Sequence, residues 1–201
     1  MNIVILTFQG FNELDSFITL GILNRAKGPD WKISICCPEE SVTSMNGVTV
    51  QAQALLEETA KADVVIVGSG RQTRSVVKNV GIMSRLTLDP SHQLIAAQCS
   101  GALILSQAGI LQDLPACTDL TTKPWMQEAG VEVLNQAFFA SGNIATAGGC
   151  LSSSYLAAWV LARTEGIEAA KEAIHYVAPV GEKEHYVASM LGNITEYLPR
   201  S

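Results

Sequence analysis

The stretch Gln93-Leu-Ile-Ala-Ala-Gln-Cys99-Ser-Gly-Ala-Leu-Ile-Leu105 decides the fold. An apolar run ends on a cysteine, a small polar residue and a glycine, which predicts a buried strand, a tight turn and a helix. Small neighbours suit such a turn because the backbone reverses sharply and its central residue is often strained. The helix start favours a thiolate over a thiol. Cys99 is therefore the candidate nucleophile, with a small buried core side chain as the alternative.

Length and charge limit the classes of protein that this chain can be. Its 201 residues predict one α/β domain spanning 1–201, and the 48% of hydrophobic residues suits a sheet covered on both faces. The net charge of −6, without a cluster of Lys and Arg, argues against nucleic acid or an anionic membrane as a partner. We therefore expect the protein to act on a small molecule and to bind neither nucleic acid nor a membrane.

The sequence shows neither a membrane-spanning run of about 18 apolar residues nor a leader pattern, so we expect a cytoplasmic protein. Five cysteines are an odd number, and none forms a C-x-x-C pair. Neither a disulfide framework nor a zinc ribbon is indicated. We expect reduced thiols, and neither a metal nor a cofactor.

Apolar strand-like segments alternate with segments of helical period along the chain. This alternation predicts a doubly wound parallel sheet with right-handed crossovers. A further short strand is expected at Ala116–Asp119. Sites in such sheets lie beyond the carboxyl ends of the central strands. Three loops meet that rule, at residues 9–15, 68–71 and 99–101, and they converge on Cys99.

The first two of these loops carry residues that suit a reactive site. Asp15 lies in the first turn of a helix predicted from Glu13 to Ala26, where the helix dipole alone would also favour a carboxylate. Gly68-Ser69-Gly70 directly follows a core strand, and glycines there let backbone N–H groups approach a ligand. No G-x-G-x-x-G or P-loop pattern follows, which argues against a nucleotide.

Four features in this order resemble the ThiJ/PfpI superfamily: Asp15 at the start of helix one, the glycines ending at Gly70, the elbow Ala97-Gln-Cys99-Ser-Gly-Ala, and Ala147-Gly-Gly-Cys150 opening a long helix. The resemblance covers nearly the whole chain. It implies a flavodoxin-like, class I glutamine-amidotransferase-like three-layer sandwich, and a homodimer. The superfamily includes deglycases, intracellular proteases and isonitrile hydratases.

Within the superfamily the chain looks most like the isonitrile hydratases. Asp15 stands where the deglycase and protease branches carry Glu, and Ser100 supplies the hydroxyl after the nucleophile, where the hydratases usually have Thr. Members with a Cys–His pair carry a histidine where this chain has Asp119. Without that base, protease or amidase activity is disfavoured. Asp119 is either a second acid in the pocket or a cap before Thr121-Thr122.

An aspartate beside a cysteine forms a coupled pair that competes for a single charge. We predict a resting Cys99 thiolate that accepts a hydrogen bond from a protonated Asp15. The backbone N–H groups of Gly70 and Ser100 would stabilise negative charge, and Ser69 and Gly101 would line the pocket with Asp119. Cys150 is expected only to pack against its helix.

The leading hypothesis is a cofactor-independent enzyme that converts an isonitrile and water into an N-substituted formamide, with Cys99 as nucleophile and Asp15 as acid and base. One alternative is glyoxalase or deglycase activity on reactive aldehydes. Another is a redox-sensing stress protein that is oxidised at Cys99. The last is a ligand-binding module without activity.

Overall fold

The computed structural model describes residues 1–26 and 28–199. The strands are β1 Asn2–Leu6, β2 Lys32–Cys37, β3 Ser41–Thr43, β4 Thr49–Gln51, β5 Ala54–Leu55, β6 Val64–Val67, β7 Leu94–Gln98, β8 Phe138–Ser141 and β9 Ile144–Ala147. The helices are α1 Glu13–Ala26, α2 Thr73–Val76, α3 Val80–Met83, α4 Gly101–Gln107, α5 Lys123–Glu128, α6 Ser153–Thr164, α7 Ile167–Val177 and α8 Lys183–Ile194. Short 3₁₀ helices cover Leu56–Lys61, Cys150–Ser152 and Thr195–Tyr197.

In the described part of the chain, one sheet has seven strands in the order β5-β2-β1-β6-β7-β9-β8. Its pairs are parallel except for β8 with β9 at one edge. Strands β3 and β4 form a separate antiparallel pair. The predicted doubly wound, mostly parallel sheet is thus confirmed, with one antiparallel edge strand.

The sheet is buried on both faces, as its continuous apolar strands require. In β1, Ile3 and Ile5 face one core with Trp159 of α6, whereas Val4 and Leu6 face a second core with helix α4. Helices α1, α6, α7 and α8 lie on the first side, and α4 and α5 on the second. The result is a helix–sheet–helix sandwich.

The strand order places four loops side by side. Starting from β1, the chain goes to β2 on one side and later to β6 on the other, so the direction of winding reverses there. Beyond this point β1, β6, β7 and β9 are successive parallel neighbours. Because parallel strands end at the same edge, the loops after all four meet at a single crevice.

The prediction of a strand at Ala116–Asp119 is wrong. Only a single bridge, from Ala116 to Val133, is formed there. The next two residues make hydrogen bonds outside any strand pairing. The Cys117 N–H donates to the Thr146 hydroxyl at 2.9 Å, and the Thr118 hydroxyl donates to the Cys99 carbonyl at 2.8 Å. The segment therefore supports the site as a loop.

Among the residues described, no helix has the length and apolar character needed to span a membrane. The cytoplasmic location and the homodimer stay predictions. In the segment between α7 and α8, Val180 is 93% exposed.

Candidate active site

Cys99 occupies the tight turn between β7 and α4, as the sequence predicts. Its φ of 47° lies in the left-handed region, which few residues other than glycine adopt. The turn is fixed on both sides, because the Cys99 N–H donates to the Ala147 carbonyl at 2.8 Å and its carbonyl accepts from Thr118. Strained backbone held by its surroundings is typical of functional sites.

Gly101 makes this turn possible, but in a different role from the predicted one. A Cβ atom on Gly101 would lie 2.4 Å from the Val67 carbonyl oxygen and 2.8 Å from that of Gly68. The start of α4 is thus packed directly on the backbone at the end of β6. Gly101 serves close packing beneath the elbow, and the loop after β6 is brought to Cys99 by that contact.

Asp15 is fully buried in the first turn of α1. Its Oδ2 accepts a hydrogen bond from the Ser69 hydroxyl. Its Oδ1 is also buried and accepts no hydrogen bond from an N–H or O–H group of residues 1–26 or 28–199, whereas the thiols of Cys99 and Cys150 act as hydrogen-bond donors to the carboxyl group. A carboxylate oxygen from Asp15 and the sulfurs of Cys99 and Cys150 all lie within 4.8 Å of one another.

Burial is the main cause of the pKa shifts of Cys99 and Asp15. It raises the pKa of the Cys99 thiol, and the negative charge of Asp15 raises it further. Burial likewise raises the pKa of Asp15, against the hydrogen bond from Ser69. The raised pKa of Cys99, which is only 3% exposed, runs against the prediction of a resting thiolate. Both effects favour the protonated form of the Cys99 thiol.

The loop after β6 is tied to the elbow by hydroxyl groups. The Gly70 N–H donates to the Ser100 Oγ at 3.2 Å, and Ser100 Oγ lies 2.8 Å from Thr73 Oγ1. The N–H of Gly70 is thus already engaged, contrary to its predicted role as an oxyanion donor. Ser69, predicted to line the pocket, instead orients Asp15.

The structure supports the capping interpretation of Asp119. Its Oδ1 accepts from the backbone N–H groups of Thr121 and Thr122 at 2.9 and 3.0 Å, and its Oδ2 accepts from the Thr122 hydroxyl at 2.7 Å. Its charge still raises the pKa values of Asp15 and Cys99. The three histidines, His92, His175 and His185, are exposed.

Sequence reasoning missed three residues around the two reactive groups. Cys150 joins Asp15 and Cys99, Asn12 Nδ2 donates to the Cys150 sulfur at 3.1 Å, and Gln98 Nε2 donates to the Cys99 sulfur at 3.4 Å. The sequence did contain a signal for Cys150, because Gly-Gly-Cys150 follows a late strand just as Cys99 follows β7. What the sequence did not show was that β9 pairs with β7.

Fold and site together define a class, that of parallel α/β proteins with an elbow cysteine beside a buried acid. The chain belongs to the DJ-1/PfpI family, whose model matches residues 1–163. The resemblance to the ThiJ/PfpI superfamily is thereby confirmed. No curated protein matches the chain.

Solved structures show the same fold at low sequence identity. A THiJ/PfpI family protein from Pseudomonas syringae is 18% identical, with a TM-score of 0.77 over 98% of this chain and 86% of that one. Drosophila melanogaster DJ-1beta is also 18% identical, with a TM-score of 0.74 over 88% and 96%. An AraC family transcriptional regulator from Pseudomonas putida is 14% identical, with a TM-score of 0.75 over 88% and 99%.

Proposed function

We propose that this protein is a cofactor-independent isonitrile hydratase in which Cys99 is the nucleophile and Asp15 the acid and base. The observation that carries the proposal is the buried Asp15 carboxylate next to the elbow sulfur, with one oxygen that accepts no hydrogen bond from an N–H or O–H group of the described chain. Such a pair supplies a nucleophile and one mobile proton. The terminal carbon of an isonitrile needs both, because it is attacked and must then be protonated.

The first half of the reaction adds the thiol across the isonitrile carbon. Asp15 removes the Cys99 proton as the sulfur attacks, so that the S–C bond forms while the carboxyl group becomes neutral. Asp15 then delivers the same proton to the carbon. The product is a thioimidate, in which the whole isonitrile is added and nothing leaves. A resting thiol therefore suits this chemistry.

The second half hydrolyses the thioimidate. Asp15, now a carboxylate again, accepts a proton from water as the oxygen attacks the imidate carbon. One water proton ends on the nitrogen and the other on sulfur as the C–S bond breaks. The N-substituted formamide departs and the Cys99 thiol is restored, so atoms and charges balance without a cofactor.

Access to the sulfur favours a narrow reacting group. Because Cys99 is 3% exposed and Asp15 is fully buried, a linear terminal carbon reaches the sulfur more easily than a planar, substituted carbonyl group. The exposed positions of the histidines leave Asp15 as the acid and base beside Cys99, so the described residues do not form the Cys–His pair that cleaves amides and esters.

The test is incubation of the protein with a small alkyl isonitrile in water labelled with oxygen-18. We expect the N-alkyl formamide with the label in its formyl group, from the wild type and from Cys37→Ala, which removes a buried cysteine in β2. Cys99→Ala should produce none. Formamide formation by Cys99→Ala would contradict the proposal, and turnover of 2-oxoaldehydes instead of isonitriles would favour the aldehyde-directed alternative.

Replacing Ser69 with alanine should lower kcat about 10-fold with a smaller effect on KM. Ser69 donates the hydrogen bond that orients Asp15, and a hydrogen bond to a charged group contributes about 1.5 kcal/mol or more. Ser91→Ala is a matched control, because Ser91 donates to Asp89 on the surface. An unchanged kcat in Ser69→Ala would show that Asp15 needs no such orientation.

A further inference from the structure

We propose that Asp15, Cys99 and Cys150 form a three-ligand site for a thiophilic divalent metal ion, with Zn²⁺ as the representative. One carboxylate oxygen and two sulfurs within 4.8 Å of one another make up a donor set of borderline-soft character. Mg²⁺ and Ca²⁺ prefer oxygen ligands throughout and are not expected to bind. Three protein ligands with one open position is an arrangement that zinc adopts in proteins.

The separations suit a metal ion after small side-chain adjustments. With Zn–S bonds of about 2.3 Å, tetrahedral geometry places two sulfur ligands about 3.8 Å apart. Because the two sulfurs lie no more than 4.8 Å apart, they need to approach each other by at most about 1 Å. Cys150 is half-buried and is the most exposed of the three ligands.

Independent evidence comes from the groups around the three ligands. The buried Oδ1 of Asp15, an acceptor with two lone pairs, has no N–H or O–H donor in the described chain, and the thiols of the two other ligands are hydrogen-bond donors to the carboxyl group. Two of the ligands also have their own polar donor, Ser69 for Asp15 and Asn12 for the Cys150 sulfur, and Gln98 Nε2 lies 3.4 Å from the Cys99 sulfur. Donors to ligating atoms are typical of the outer shell of metal sites.

The loop that carries Cys150 is fixed before any ion arrives. A Cβ on Gly148 would lie 2.3 Å from the Thr118 carbonyl oxygen, so this backbone is packed directly on its neighbour. Gln98 Nε2 donates to the Gly149 carbonyl at 2.7 Å and to the Ser152 hydroxyl at 3.1 Å. Gln98 thereby links the two cysteine-bearing loops.

Binding would release the two thiol protons to solvent, because thiolates are the ligating species. Two thiolates and a carboxylate around Zn²⁺ leave one net negative charge, which the amide donor of Asn12 helps to stabilise. The bound ion occupies the lone pairs that Cys99 would use in attack. If the proposed function holds, Zn²⁺ therefore inhibits the hydration of isonitriles.

The test is direct binding to reduced protein freed of metal with a chelator. We expect one equivalent of Zn²⁺ in competition with a chromophoric chelator, and cobalt–thiolate charge-transfer absorption with Co²⁺. Cys150→Ser should weaken binding more than about 100-fold and Asn12→Ala about 10-fold, whereas Cys37→Ala should bind like the wild type. Mg²⁺ should not compete.

Two results would overturn the proposal: no stoichiometric Zn²⁺ binding by the wild type, or equal affinity in Cys150→Ser. The measurement uses no isonitrile, so its failure is distinct from failure of the proposed function. A protein that forms formamide but binds no Zn²⁺ rejects the metal site alone. If the protein binds Zn²⁺ through these ligands but forms no formamide when it is free of metal, only the proposed hydratase activity is rejected.

Discussion

Replacing Asp15 with asparagine is expected to lower kcat/KM for isonitrile hydration by about 10²–10⁴-fold, the range that general acid–base catalysis contributes. Asparagine keeps the shape of the side chain and can still accept the hydrogen bond from Ser69, but it neither accepts nor delivers the proton. Steady-state formation of the formamide measures the effect. Activity within a factor of three of the wild type would assign the proton transfers to another group.

The same variant should be more stable than the wild type above the unfolded-state pKa of the carboxyl group. Burial raises the pKa of Asp15 from 3.8, so the folded state holds the proton more tightly than the unfolded state does. The free energy of unfolding therefore falls as pH rises from about 3.8 through the raised pKa. Asp15→Asn lacks this decrease, and the difference between the two proteins should widen with pH in urea titrations. A difference that is independent of pH would show that Asp15 ionises as easily when folded.

Replacing Gly101 with alanine should lower the free energy of unfolding by about 3 kcal/mol or more, since overpacking costs about 1–3 kcal/mol even where flexible side chains can move aside. Here the new methyl group would lie 2.4 Å from the Val67 carbonyl oxygen, an atom of a central strand. Relief requires moving α4 away from β6, which displaces Cys99 as well. We expect hydratase activity to fall together with stability.

Gly21→Ala provides the matched control. Gly21 lies within α1 and is exposed, and apart from the helix's own backbone no atom of the described chain lies within 4 Å of the position that a Cβ would take. Alanine there should stabilise the protein by about 0.5–1 kcal/mol, the difference in helix propensity. Urea denaturation of both variants distinguishes a close-packing requirement at Gly101 from a general effect of added methyl groups. Equal stability of Gly101→Ala and the wild type would contradict the proposed packing.

Much of the fold follows from local patterns in the sequence. Continuous apolar strands alternating with helical segments predict the parallel sheet, and α1 begins at Glu13 and ends at Ala26 as expected. The segment at Ala116–Asp119 was predicted wrongly because its alternation resembles a strand, whereas its polar groups bind Thr146 and Cys99. Those partners are distant in sequence, so local patterning cannot reveal them.

The candidate site was predictable in position but less so in detail. The rule that sites lie beyond the carboxyl ends of central strands brings Asp15, Ser69 and Cys99 together, as observed. The order of the late strands could not be read from the sequence. The proximity of Cys150 to Cys99, which depends on the pairing of β9 with β7, was therefore missed. The extent of burial at Cys99 depends on the whole packing and not on the residues of the elbow. The rise in the pKa of Cys99 that this burial causes therefore cannot be read from the elbow alone.

The most direct test of the proposed mechanism is intact-mass analysis of the protein quenched during turnover of an alkyl isonitrile. The mechanism predicts a species heavier than the free protein by the full mass of the isonitrile, located at Cys99 by peptide mapping, that decays as the formamide appears. Formamide without any such species, or an adduct located at another cysteine, would contradict covalent catalysis by Cys99.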